Sequence, residues 1–132
     1  MPGFLSGSSR PGNKLGFPKQ ARLIRAFEFQ QVRQQGHPVH GRLMTLGVLK
    51  GGEASEPRIG LITSRRVGNA VTRNKVRRRL REIIRKARPS MIKGLWLVVV
   101  AKSSAAKATQ QKLSDEWHQL AQRGSILQEA MP

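Results

Sequence analysis

Apolar positions recur along this chain with two periods, and each change of period marks an element. Val76, Leu80, Ile83, Ile84 and Ala87 fall at i, i+4, i+7, i+8 and i+11, one stripe of an amphipathic helix within Arg65–Arg88. Asn69 or Thr72 is placed to cap it, and Pro89 to stop it. Ala21–Gln35 reads as a first helix, with Leu23, Ile24 and Phe27 to one side. Phe29, Val32 and Arg33 follow at i, i+3 and i+4, and Gly36 is the stop. Leu113, Trp117, Leu120 and Ala121 set a last helix over Thr109–Arg123, ended by Gly124. Between the helices the pattern becomes extended. His37–Lys50 holds two short pieces, the second a strand over Arg42–Leu49, and Arg58–Ser64 places Ile59, Leu61 and Thr63 on one side. The loop Lys50–Pro57 (KGGEASEP) has hairpin chemistry, and Gly94–Lys102 (GLWLVVVAK) is apolar enough for a central strand flanked by the other two.

The order α-β-β-β-α-β-α predicts an α+β fold, a two-layer sandwich of a small mixed four-stranded sheet with three helices. Residues 1–20, rich in Gly, Ser and Pro, read as a flexible basic arm, 21–123 as the folded α+β domain and 124–132 as a short tail. Core packing is the simpler role for Phe27. For Phe29, packing competes with stacking on an unpaired base.

Charge changes the picture of the central helix. The 132 residues carry a net charge of +18 with pI near 12.0. Eleven of the 25 cations lie in Arg65–Arg88, against one acid, Glu82. Arg73/Arg77, Arg77/Arg81 and Arg81/Arg85 are like-charged i,i+4 pairs, each costing a few tenths of a kcal/mol. A merely solvated face would interleave Glu with Lys, so the pattern points to a polyanion partner. With no cysteine there is no disulfide framework or thiolate metal site, and the chain fits a reducing compartment, by expectation the cytoplasm. No apolar run approaches a membrane span, and no secretory signal is visible.

Catalytic chemistry is hard to assemble from these residues. The seven acids form no pattern that would converge on two metal ions, and His37-x-x-His40 lacks a third ligand nearby. Ser114, Asp115 and His118 share one helical turn, which is not triad geometry, and no phosphate-binding glycine loop is present. Nor is there a DNA-reading module or an RRM signature, so RNA is the favoured polyanion, with no DNA or membrane partner expected.

The run GLITSRRVGNAVTRNKVRRRLRE, Gly60–Glu82, resembles the signature of the bacterial ribonuclease P protein component. Gly68-Asn69-Ala70-Val71 matches its GNAV element, and Arg73-Asn74, Arg78 and Arg81 match its basic helix, with Arg77 where Lys is commoner. Arg22, Leu23, Phe29, Val32, Gly36 and the strand ending Ala101-Lys102 fit the same frame, so the likeness spans roughly residues 19–123. It departs at Arg33, where the family often has an aromatic residue, and in Arg42–Leu49, which lacks one. The resemblance implies a ribosomal-protein-like sandwich with a left-handed βαβ crossover. It implies one protein per catalytic RNA subunit and removal of the 5′ leader of precursor tRNA by Mg²⁺ held mainly by that RNA. No residue here would then be catalytic or metal-binding. Arg65, Arg66, Asn69, Arg73, Asn74, Arg77, Arg78 and Arg81 would contact RNA, and Phe29 and Arg33 would hold the leader in a cleft. A ribosomal or RNA-chaperone protein, and a basic amphipathic membrane binder, are the competing classes.

Overall fold

The computed structural model describes residues 26–52 and 56–128. The arm 1–20 and the first residues of the expected first helix, 21–25, lie outside the described residues. Seven elements follow in the expected order: α1 Ala26–Gln35, β1 His37–His40, β2 Met44–Leu49, β3 Arg58–Ile62, α2 Ala70–Ala87, β4 Trp96–Ala101 and α3 Gln110–Arg123. The four strands form one mixed sheet in the order β1-β2-β4-β3. β1/β2 and β2/β4 are antiparallel, and β4 runs parallel to β3, to which α2 connects it.

The sheet has two unlike faces. Met44, Leu46 and Val48 of β2, Ile59 of β3, and Leu97 and Val99 of β4 point into the main core. There they meet Val76, Leu80, Ile83, Ile84 and Ala87 of α2 and Leu113, Trp117, Leu120 and Ala121 of α3. The expected stripe of α2 is buried at every position. Burying a side chain such as Leu80 or Ile84 yields roughly 1.5–3 kcal/mol, several times the repulsion between two arginines one turn apart. The helix therefore tolerates its charge because its other face is anchored. On the opposite face of the sheet lies α1, with Val32 packed on Val98. Gly36 ends α1 where a Cβ would stand 2.2 Å from the Val48 carbonyl oxygen, so the chain can cross the sheet edge there only without a side chain.

Three expectations need correction. Phe27 is 57% exposed, not core, and Val32 and Phe29 do the packing on the sheet. The loop after β2 makes no β2–β3 hairpin, because β4 lies between those strands. Its first residues instead meet the chain just before β4, with the Gly52 amide donating to the Gly94 carbonyl at 2.9 Å. Third, the domain does not end at residue 123. Ser125 takes φ 56° and reverses the chain, and Ile126 is fully buried. The Ile92 amide donates to the Ile126 carbonyl, and the Gln128 amide to that of Ser90.

Candidate nucleic-acid interface

The cations of α2 divide by position. Toward the helix C-terminus they are compensated. Arg85 forms two hydrogen bonds with Glu82 (Nε–Oε1 3.2 Å, Nη2–Oε2 2.6 Å), and Lys86 lies 3.6 Å from the same carboxylate. The Arg85 hydrogen bond holds the Glu82 carboxyl below its usual range, and Glu82 in turn raises the pKa of Arg85. Arg88 donates to Glu56 at 2.6 Å. Close by, at the start of β3, Arg58 pairs with Glu28 of α1, which is only 3% exposed, and stacks 5.6 Å above the Trp96 ring.

Toward the helix N-terminus the charge stands open. Asn69 caps α2, its Oδ1 accepting from the Thr72 amide at 2.9 Å, so this side chain has a structural duty whatever else it contacts. Arg65 and Arg66 sit exposed on the 3₁₀ turn Arg65–Val67, which Ser64 caps. Lys75 and Arg78 are exposed, and Arg73 is half-buried. Among the described residues none of these five has an ion-pair partner. The first turn of α2 carries no acid, so the positive end of the helix dipole adds to the same field. Arg77 bridges two elements, donating to Asn74 Oδ1 at 2.8 Å and to Thr63 Oγ1 at 2.6 Å. It thereby fixes α2 against the end of β3, with Arg81 half-buried one turn on. Arg79 serves the fold, donating to the Ala108 carbonyl at 2.7 Å.

Phe29 and Arg33 come together away from this surface, on the other face of the sheet. Both line a cleft of about 210 Å³ between α1 and the strands, floored by Gly47, Val98 and Val100 and rimmed by His37 and Thr45. Gly47 is what lets α1 sit so low, since a Cβ there would meet Val32 Cγ1 at 3.2 Å. Phe29 is half-buried, so one part of its ring packs on the sheet and the rest faces the cleft. His37 and Thr45 are cleft residues that sequence reasoning missed. Their place opposite Phe29 depends on strand register, which no local pattern carries.

Among the described residues no group of three or more His, Asp or Glu side chains converges. Glu116 accepts from the backbone amides of Arg42, Leu43 and Met44 at 3.0, 2.7 and 3.1 Å. The described carboxylates therefore offer no cluster for a protein-held Mg²⁺.

The family model "Ribonuclease P" matches residues 17–124. The ribonuclease P protein component of Symbiobacterium thermophilum is 34% identical over 110 residues, covering 83% of this chain and 96% of that one. That of Exiguobacterium sibiricum is 33% identical over 108 residues, covering 82% and 93%. Among solved structures, an RNase P protein mutant of Staphylococcus aureus with defective mRNA degradation activity superposes with TM-score 0.78. It shares 24% identity, covers 83% of this chain and 92% of its own, and supports the α+β fold. With a matched family model over most of its length and relatives this similar, the chain belongs to the bacterial ribonuclease P protein family.

Proposed function

We propose that this chain, as the protein subunit of ribonuclease P acting in tRNA processing, grips the catalytic RNA subunit with the open N-terminal half of α2 and the leader of precursor tRNA with the cleft. The carrying observation is the separation of these two sites on opposite faces of the sheet, with unlike chemistry. Arg65, Arg66, Arg73, Asn74, Arg77, Arg78 and Arg81 present donors to phosphates, which position a folded RNA whatever its sequence. The cleft instead offers an aromatic edge, an apolar floor and one guanidinium. Those are the groups that hold an unpaired nucleotide by stacking and charge. Phe29 stacks, and Arg33 either stacks its own plane or pairs with a phosphate.

In this reading the phosphodiester is hydrolysed by the RNA subunit. Mg²⁺ is held mainly by that RNA, one protein serves each RNA, and the complex works in the cytoplasm. The committed carboxylates support the division of labour: Glu28, Glu56, Glu82 and Glu116 are engaged by arginines or backbone amides. Among the described residues no helix is long and apolar enough to cross a membrane.

The test is reconstitution. The protein alone leaves precursor tRNA intact, and adding it to the RNA subunit lowers the Mg²⁺ needed for 5′ cleavage. Phe29→Ala should weaken binding of precursor tRNA by the complex and leave mature tRNA unaffected, since only the precursor has a leader. Equal losses for both would return Phe29 to packing alone. A protein that changes cleavage at no Mg²⁺ concentration would sink the proposal.

A further inference from the structure

The open cationic surface does not stop at the start of α2. The turn Arg65–Val67 packs against a second 3₁₀ turn, Ser103–Lys107, which follows β4. Val67 and Ala105 seal that contact from within the core. Arg79 ties the far end of the second turn to α2 through the Ala108 carbonyl. On its other side the turn holds the β1–β2 loop. Ser104 Oγ donates to the Arg42 carbonyl at 2.6 Å, Lys102 Nζ to the Gly41 carbonyl at 2.5 Å, and the Lys102 amide to Leu43. Glu116 fixes the loop from beneath through its three amide contacts. One continuous ridge results along the end of the sheet where β3 and β4 finish. Arg65, Arg66, Lys107, Lys102 and Arg42 project from it, all exposed.

We propose that Arg42, Lys102 and Lys107 form a second RNA contact, a ridge that takes the phosphate backbone of a double-stranded part of the partner RNA. The proposal rests on the RNA-binding reading of α2 and extends its surface around the sheet end. Three features select this occupant. The ridge is continuous with Arg65 and Arg66. Glu116, the acid beneath the β1–β2 loop, turns its carboxylate inward onto backbone amides. None of its exposed side chains is aromatic, so it lacks the stacking platform that single strands require, whereas duplex RNA is held through phosphates and 2′-hydroxyls. The turns are also held by hydrogen bonds on both sides, so the cations stand on an ordered backbone and less freedom is lost on binding. Lys102 keeps two donors after its bond to Gly41.

The experiment measures affinity for the catalytic RNA subunit against salt, with the full-length chain as Arg42→Gln/Lys102→Gln/Lys107→Gln and, separately, as Arg78→Ala. Each lost phosphate contact removes roughly 0.7–0.9 from the slope of log K on log salt, so the triple variant should be shallower by about 2. Its preference for precursor over mature tRNA in the reconstituted complex should be unchanged. Should losing the Lys102 bond unsettle the loop, seen as a lowered Tm, Arg42→Gln/Lys107→Gln leaves that bond in place and should still flatten the slope by about 1.5. A slope that falls for Arg78→Ala and not for the ridge variants overturns the ridge and leaves the proposed function standing. Unchanged slopes in all variants overturn the proposed function itself. Loss of leader preference with the slope intact makes the ridge a single-strand contact and also overturns the proposal.

Discussion

The two ends of this domain, taken along β3, handle positive charge in opposite ways. At the end where β3 begins, arginines are fold elements. Arg58 closes on Glu28, Arg88 on Glu56, and Arg85 with Lys86 on Glu82. At the end where β3 finishes, Arg65, Arg66, Arg78, Lys102 and Lys107 stand exposed with no ion-pair partner among the described residues. One helix serves both ends, with much the same density of arginine along it. What distinguishes them is where the few acids lie. A basic helix is thus a poor guide to an RNA surface until its acidic partners are located, some of them on distant elements.

The largest effect expected from breaking this contrast is at the compensated end. Glu28→Ala strips Arg58 of a nearly buried partner, and breaking such a pair costs about 3 kcal/mol. Urea unfolding should show the loss, while the salt dependence of RNA binding stays as in the parent. A change in that slope would mean the compensated end also touches RNA. Next, Arg78→Ala should weaken affinity for the RNA subunit about tenfold, the worth of one charge-assisted contact. Its Tm should not move, since Arg78 is exposed and the fold does not lean on it. A fall in Tm without a change in affinity would reverse the assignment of the two ends.

The smallest effect belongs to Glu82→Gln, which moves the boundary between the ends. Glu82 has its pKa depressed in the folded state, mainly by the Arg85 hydrogen bond. Its stabilisation is therefore present above the ordinary carboxylate pKa and is lost as pH falls through the lower, folded value. Parent and variant should differ slightly in stability at pH 7 and converge as pH falls below the folded value in urea titrations. Freeing Arg85 and Lys86 should also strengthen RNA binding at low salt. Weaker binding would show that Glu82 orders Arg85 for a contact of its own.

How much of this was legible in the sequence depends on the reach of each signal. The stripe from Val76 to Ala87 could be read because its period lies within one element, and all five residues are buried. The i,i+3 pair Glu82–Arg85 was readable on the same grounds. Glu28–Arg58, 30 positions apart, was not, because only the docking of α1 on the sheet brings those side chains together. The loop after β2 has hairpin residues, yet turn chemistry cannot report that β4, made later, inserts between β2 and β3. Phe27 and Phe29 look alike in a helical pattern, and the angle at which α1 lies on β2 decides which one packs. Ile126 follows a helix stop, where two apolar residues give too short a pattern to read as core.

That buried Ile126 bears on how the chain comes off the ribosome. The apolar stripe of α2 is complete once Ala87 has been made, but Trp117, Leu120 and Ile126, which cover the same core, come up to 39 residues later. At roughly 5–20 residues per second, that leaves a basic, half-greasy helix without its lid for about 2–8 seconds. For that interval the nascent chain is at once sticky and strongly cationic, amid the ribosome's own RNA. Early capture of α2 by its cognate RNA would shield the charge and leave only the apolar side waiting for α3.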